Sequence, residues 1–373
     1  MAAAGNEPAA GSATRAKTVL VAGASGVIGQ AATGAFAQAG GWRVVSLSRR
    51  APPEAGPNHR HVALDLTDPD RCRAALSEIG PVSHLVFTAL YEKPDIVQGW
   101  RDPEQMAVNL AMLRNLLDPL AESGALEHVS ILQGTKAYGV HIRPFPVPAR
   151  ESWPRHPHEN FYWLQEDHLR DRAAAYGFGF SIFRPQIVFG TAVGVAMNIV
   201  PVLGVYAAMR REEGLPFSYP GGPDYVLEAT CAELMGRALL WAAESPAARN
   251  EIFNITNGDV FVWRNIWPRL AEYLGMETGP DTPLSVADYI TERADLWDRI
   301  VARHGLAPNT LEALVGHSHR YADFCMAQGA SRPPAPVLVS TIKLRQAGFG
   351  DCIDTEEMFR RQIATLRADR ILP

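Results

Sequence analysis

Three glycines spaced three residues apart, Gly23, Gly26 and Gly29, directly follow the apolar run KTVLVA. The first glycine lets the chain turn sharply out of a strand, the second lets backbone N–H groups approach an anion, and the third lets a helix pack closely. Because N–H groups at a helix N-terminus bind phosphate, this pattern predicts a dinucleotide site. A tight strand–helix turn without a ligand is the alternative. The predicted contacts are Gly23, Ser25, Gly26, Val27, Ile28 and Gly29.

The end of the next apolar run, WRVVSLS, indicates which dinucleotide binds. In an NAD site, an acid near this point binds the ribose 2′-hydroxyl. Here the run ends at Ser48, followed by Arg49 and Arg50, whose guanidinium groups can pair with a 2′-phosphate. We therefore predict NADP(H), with two solvated arginines as the alternative. Asp65 and Leu66, which close the third predicted strand, are the predicted adenine contacts, and simple loop capping is the alternative for Asp65.

The lysines narrow the search for a catalytic group. Many short-chain dehydrogenases place Tyr-x-x-x-Lys on one helix, where the ammonium lowers the phenol pKa. No tyrosine here has a lysine four residues later, and the chain has only four lysines. Lys136 alone falls just beyond the carboxyl end of the fifth predicted strand, where doubly wound sheets bind ligands. It is the predicted catalytic lysine, and an exposed structural lysine is the alternative.

The elements that must position these residues alternate between strand and helix, which predicts an α/β, Rossmann-type, doubly wound parallel sheet. Prolines then interrupt the pattern over 141–158. The predicted strands are 17–22, 42–48, 61–66, 84–90, 128–133, 180–183 and 251–256, and the predicted helices are 27–38, 69–79, 104–122, 160–176 and 227–244, with a mostly helical remainder.

This pattern divides the chain into three parts. We expect a disordered tail over 1–16, an NADP-binding Rossmann domain over 17–190, and a smaller, mostly helical substrate-binding domain over 191–373. Residues 227–257 are expected to pack back onto the Rossmann sheet.

Composition excludes several classes of protein. With 40 acidic and 35 basic residues, the chain lacks the positive charge of a nucleic-acid binder. Its four cysteines are far apart, which argues against a disulfide scaffold and favours the cytoplasm. No GxSxG nucleophile motif and no recognised metal spacing occurs. We expect a small-molecule substrate, no metal, and no nucleic-acid or membrane partner.

Several segments together carry a family resemblance. They are VAGASGVIG at 21–29, SRRAP at 48–52, LQGTKAY at 132–138, NFYWLQED at 160–167, FRPQIVFG at 183–190, MNIV at 197–200, VYAA at 205–208 and NEIFNITNGDV at 250–260. Through these the chain resembles the progesterone 5β-reductase/iridoid synthase-like branch of the extended short-chain dehydrogenases/reductases. The resemblance covers almost the whole chain after the tail.

The resemblance implies NADPH-dependent reduction of an activated C=C bond, with the enolate stabilised by a tyrosine assisted by the lysine at Lys136. It also implies a homodimer. The segment Pro185–Val188 then lines the nicotinamide. The further predicted contacts are Gln133, Pro185, Ile187 and Val188 for the cofactor, and Met197, Asn198 and Tyr206 for the substrate, although the sequence alone makes Asn198 a helix cap.

One position departs from the family pattern. The family segment reads Asn-Phe-Tyr-Tyr, and with the second tyrosine taken as catalytic, its position here holds Trp163. An indole N–H donates a hydrogen bond but does not release its proton near neutral pH. Three interpretations stay open: Tyr162 takes over through a shifted helix start, Tyr138 reaches the substrate oxygen, or Trp163 only positions substrate beside Lys136.

Together with these residues, the resemblance implies an NADPH-dependent 1,4-reductase of an α,β-unsaturated carbonyl compound, and this is the function we expect. A carbonyl reductase or a nucleotide-sugar epimerase/dehydratase of the same fold is one alternative, and the absence of Tyr-x-x-x-Lys argues against the epimerase. An NADP-binding sensor or scaffold without turnover is another, which Trp163 keeps open.

Overall fold

The computed structural model describes residues 17–93, 99–307 and 309–373, so the predicted tail lies outside the described residues. Seven parallel strands form one sheet in the order β3-β2-β1-β4-β5-β6-β9, which confirms the predicted fold class. The strands are β1 Lys17–Ala22, β2 Trp42–Ser48, β3 His59–Ala63, β4 His84–Phe87, β5 His128–Leu132, β6 Gly179–Pro185 and β9 Glu251–Ile255. Because neighbouring strands are parallel, their carboxyl ends meet at one edge of the sheet.

Helices cover both faces of this sheet. The central strands are buried on both sides, which explains why their sequences are continuously apolar. The helices of this half are α1 Val27–Gln38, α2 Pro69–Ile79, α3 Pro103–Glu122 and α4 Phe161–Tyr176. Helix α2 begins where predicted because the Asp68 carboxylate caps the N–H groups of Asp70 and Arg71, with Pro69 in the first turn.

Strand β5 leads into a short 3₁₀ turn, Thr135–Tyr138, and then into the proline-rich segment. That segment forms neither helix nor strand between this turn and α4, apart from one parallel bridge between Ala149 and Val339. The bridge ties the segment to the C-terminal part of the chain. The turn and the start of α4 therefore lie together at the carboxyl ends of the strands.

The second half adds two short strands and nine helices to the described fold. Strands β7 Ile187–Phe189 and β8 Ala229–Cys231 pair in parallel. The predicted helix over 227–244 is therefore wrong at its start, because Ala229 to Cys231 pair with β7 before the helix begins. The helices are α5 Ile199–Glu212, α6 Ala232–Glu244, α7 Trp263–Tyr273, α8 Val286–Thr291, α9 Ala294–His304, α10 Leu311–Val315, α11 Ser318–Cys325, α12 Ile342–Gln346 and α13 Thr355–Ala368.

The two halves share their packing. Helix α6 packs against α1, and β9 extends the sheet beyond β6. One hydrophobic cluster runs from β1 through α5 to α13. Among the described helices, none has the length and apolar composition needed to span a bilayer.

Candidate active site

The glycine turn has the shape that an anion requires. Gly23 has φ +84°, and a Cβ there would lie 2.6 Å from the Ala89 nitrogen. A Cβ on Gly29 would overlap the Gly23 carbonyl oxygen, and one on Gly26 would lie 3.3 Å from it. Gly26 is the N-cap of α1, so the N–H groups of the first helical turn have no partners within the helix and face the glycine turn. The turn therefore fits the pyrophosphate of a dinucleotide.

The end of β2 presents two exposed arginines. The Ser48 hydroxyl donates to the Arg50 carbonyl oxygen at 2.6 Å and holds the turn in which both arginines lie. Arg50 Nη2 donates to the carbonyl oxygen of Gly194 at 2.9 Å, and Gly194 lies in the loop that follows β7. A guanidinium carries five N–H donors, so this contact leaves others for a phosphate. Arg49 lies exposed beside it.

Asp65 and Leu66 follow β3. Asp65 Oδ1 accepts from both the backbone N–H and the hydroxyl of Thr67. These bonds, together with the Arg49 charge, hold the pKa of the Asp65 carboxyl below its usual range. Asp65 therefore caps its own loop through Oδ1, and its contact with adenine stays a prediction. The Leu66 side chain is buried, and its carbonyl oxygen accepts from Asn115 Nδ2.

Gln133 lies inside a buried polar network. Its Oε1 accepts from Arg184 Nε at 2.8 Å, and its Nε2 donates to Glu166 Oε2 at 2.9 Å. Glu166 also pairs with Arg155 and Arg170. The Gln133 amide is thus fully used within the protein, and its structural role is to connect β6 with α4.

Lys136 lies in the 3₁₀ turn at the carboxyl end of β5, the position predicted from its place after that strand. Its Nζ lies 3.6 Å from the ring centroid of Trp100, over the indole face. Burial lowers the pKa of Lys136 to about 8, and the Glu92 carboxylate opposes this shift. The side chain is therefore half-buried, with its ammonium against an aromatic ring, which differs from the alternative of an exposed structural lysine.

Tyr162 lies at the same edge of the sheet as Lys136. Its hydroxyl borders the space between the ends of β5 and β6, which we call the crevice. A Cβ on Gly134 would lie 3.3 Å from Tyr162 Oη and 3.7 Å from the Pro185 carbonyl oxygen, so the hydroxyl lies where β5 and β6 end. The ring contacts Trp100 edge-on at 5.2 Å between centroids. Asn160 caps the helix by accepting from the Tyr162 N–H, which sets this direction. Burial raises the pKa of the Tyr162 hydroxyl well above its usual value, so it keeps its proton.

Trp163 points to a different set of neighbours. The Arg155 guanidinium lies 5.0 Å and the Arg184 guanidinium 5.9 Å from its ring centroid. His158 meets the ring edge-on. The indole nitrogen is buried and has no hydrogen-bond partner among the described residues. The structure therefore brings Tyr162, and not Trp163, between the ends of β5 and β6.

Tyr138, the third candidate, is already paired. Its hydroxyl donates to Asn254 Oδ1 at 2.6 Å, and its ring packs against Phe145, Trp153 and Arg184. Burial raises the pKa of this hydroxyl. It links the 3₁₀ turn and the proline-rich segment to β9, and its proton is used in the bond to Asn254.

The remaining predicted residues lie in two environments. Pro185 ends β6 with its carbonyl oxygen near Gly134, and Ile187 and Val188 begin β7 as half-buried residues. Met197 is also half-buried. Asn198 and Tyr206 are fully enclosed instead.

Asn198 is the N-cap residue of α5, but its side chain clamps the preceding loop. Its Nδ2 donates to the carbonyl oxygens of Gly190 and Ala192, both at 2.7 Å. Tyr206 is completely buried within α5, and its hydroxyl donates to the Ser218 carbonyl oxygen. The described structure does not bring either side chain to the crevice, because the loop clamp and the core pack around them.

Two residues near Lys136 escaped the sequence analysis. The sequence favours a core position for Trp100 and assigns no role to Glu92. Glu92 Oε1 accepts from Trp100 Nε1 at 2.8 Å, which links both to the lysine. The available signal was position, since Glu92 follows β4 by five residues and so lies at the same edge of the sheet as Lys136.

Comparison with known proteins agrees with this geometry. The model of the NAD dependent epimerase/dehydratase family matches residues 19–256, and the chain belongs to this family. The (S)-8-oxocitronellyl enol synthase of Antirrhinum majus is 30% identical and aligns over 96% of this chain and 94% of its own. The enzyme of the same name from Catharanthus roseus is 27% identical over 95% and 92%. The resemblance to iridoid synthase-like enzymes is thus confirmed.

Solved structures show the fold. UDP-glucose 4-epimerase from Thermotoga maritima, with UDP-glucose, has a TM-score of 0.66 at 18% identity and covers 94% of this chain and 99% of its own. The Thermus thermophilus UDP-glucose 4-epimerase complex with NAD has a TM-score of 0.64 at 20% identity, with coverage of 94% and 99%. With the glycine turn and the family match, these findings make the chain a nicotinamide-dependent oxidoreductase of the extended short-chain dehydrogenase/reductase type.

Proposed function

We propose that the protein is an NADPH-dependent reductase of the activated C=C bond of an α,β-unsaturated carbonyl compound. The observation that carries this proposal is that Lys136 and Tyr162 both contact the ring of Trp100, at the edge of the sheet where β5 and β6 end. The glycine turn lies at the end of β1 on the same edge of the sheet. The named activity of relatives that align over most of the chain supports the same reaction class.

The cofactor, when bound, supplies a hydride to the β-carbon of the substrate. Negative charge then develops on the carbonyl oxygen, and donors aimed at that oxygen stabilise the transition state. The Lys136 ammonium provides a positive charge in a half-buried setting, where its electrostatic effect is larger than in water. Tyr162 keeps its proton at neutral pH because burial raises the pKa of its hydroxyl, so it acts as a hydrogen-bond donor to the enolate.

Arg49 and Arg50 support NADPH as the cofactor. Both are exposed at the end of β2, where a 2′-phosphate lies in this type of site. The acid found at this point in NAD-preferring sites is replaced by arginine. Asp65, which follows β3, is bound to Thr67 through Oδ1.

The test follows a transferred hydrogen. The protein is incubated with 2-cyclohexen-1-one or an enal and NADPH deuterated at the transferred position, and products are analysed by mass spectrometry and NMR. The proposal expects a saturated ketone or aldehyde with deuterium on the β-carbon. An allylic alcohol with deuterium on the carbinol carbon would instead identify a carbonyl reductase. Tight NADPH binding without turnover of any substrate would support a sensor.

A further inference from the structure

Lys136, Trp100 and Glu92 form a continuous chain of contacts. The Lys136 ammonium lies over the indole face, 3.6 Å from its centroid, which is well inside the distance for a cation–π interaction. The indole N–H donates to Glu92 Oε1 at 2.8 Å. Glu92 Oε2 is buried and has no hydrogen-bond partner among residues 17–93, 99–307 and 309–373. The carboxylate therefore acts on the ammonium through the ring and through space.

For Lys136, the contact with the Trp100 ring takes the place of an ion pair with a carboxylate. Lys93 and Lys343 each form ion pairs with carboxylates, whereas the described chain shows no ion pair for Lys136. Burial by itself favours the neutral amine, so an ammonium here needs compensation. A hydrogen bond from the indole N–H to a carboxylate polarises the ring and strengthens its attraction for a cation.

Other titratable groups face Lys136 from each element packed around it. His141 faces it from the segment after the 3₁₀ turn and Cys325 from α11, and Tyr162 of α4 contacts the same Trp100 ring. Burial raises the pKa of Cys325 to about 12 and lowers that of His141 to about 4, so both are neutral near pH 7. Burial also keeps Tyr162 neutral by raising its pKa. Glu92 is then the charged group that opposes the desolvation of Lys136.

We propose that Glu92 and Trp100 are positioning residues that hold Lys136 as a charged ammonium directed into the crevice. In this chain they serve in place of the helix partner that a Tyr-x-x-x-Lys motif provides. The inference deepens the proposed function, on which its catalytic meaning rests, but its physical content is the protonation state of one lysine and can be measured without turnover.

The experiment uses the small number of lysines. In protein labelled with ¹³C at the lysine ε-carbon, the four lysines of the chain give four resonances, and loss of one in Lys136→Arg assigns it. A pH titration of that resonance gives the pKa of Lys136, which we expect near 8 because burial lowers it. Glu92→Gln keeps an oxygen that can accept from Trp100 but removes the charge, and should lower the Lys136 pKa by about one unit. Trp100→Phe removes the N–H and weakens the ring's attraction, and should lower it by about half a unit.

A matched control is Glu104→Gln. Glu104 pairs with Lys93 on the surface, so this variant should move the Lys93 resonance and leave Lys136 unchanged. If Glu92→Gln does not fold, Trp100→Phe still decides the question. An unmoved or raised Lys136 pKa in a folded variant overturns the inference. A lowered pKa in a protein that reduces no enone would sustain the positioning role and defeat the proposed function instead.

Discussion

Replacing Tyr162 by phenylalanine tests which aromatic residue of α4 acts on the substrate. The change removes one oxygen, which lies between the ends of β5 and β6, and leaves the ring against Trp100. Loss of one preorganised donor to a developing oxyanion costs roughly 10²–10³ in turnover. We therefore expect kcat to fall by about two to three orders of magnitude, with little change in NADPH affinity.

The matched variant is Trp163→Phe. It keeps an aromatic ring for Arg155 and Arg184 and removes an indole N–H that has no partner among the described residues. Because that donor makes no bond to lose, kcat should stay within about threefold of the parent. Both variants are followed through NADPH absorbance under single-turnover conditions, with circular dichroism to confirm folding. A large loss in Trp163→Phe with a small loss in Tyr162→Phe would refute the reasoning.

The other predictions concern the lysine, the cofactor and the crevice. Burial holds the pKa of Lys136 near 8, so kcat should be constant below this pH, fall as pH rises through it, and lose this limb in Lys136→Arg; a limb that persists would assign it to another group. Arg49→Ala with Arg50→Ala should raise the KM for NADPH by about 10²-fold and leave that for NADH almost unchanged, and equal losses would contradict the phosphate assignment. Gly134→Ala places a Cβ 3.3 Å from Tyr162 Oη and should cut kcat about tenfold at unchanged thermal stability, which a melting curve checks.

Much of the fold followed from local signals. Helices α1 and α2 lie at their predicted residues because Gly26 and Asp68–Pro69 mark their starts. The stretch from Ala229 to Cys231 was predicted wrongly as helix, because its pairing with β7 overrides its helical propensity. Such pairing depends on a strand more than forty residues earlier in the chain, roughly beyond the range of a local pattern.

The candidate site divides in the same way. Lys136 could be placed from its position after a strand, because parallel topology brings all strand ends to one edge. The directions of the Tyr162 and Trp163 side chains could not be predicted. Successive helical residues point roughly 100° apart, and the residue at which the helix starts decides which of them faces the strand ends. The N-cap Asn160 decides that phase. The burial of Tyr206 depends on how α5 packs against Phe217 and Tyr289, which only the folded structure shows.

The last strand of the sheet has a consequence for dividing the chain. Strand β6 is buried along its whole length, and β9, contributed by residues after 250, is what covers its outer backbone groups. A fragment that stopped at 190 would leave those N–H and C=O groups without partners along a hydrophobic, uncapped margin. An exposed strand edge of this kind pairs with other chains, so we expect the fragment to self-associate through β6. In the whole chain β9 covers that edge, and β6 is not open to such pairing.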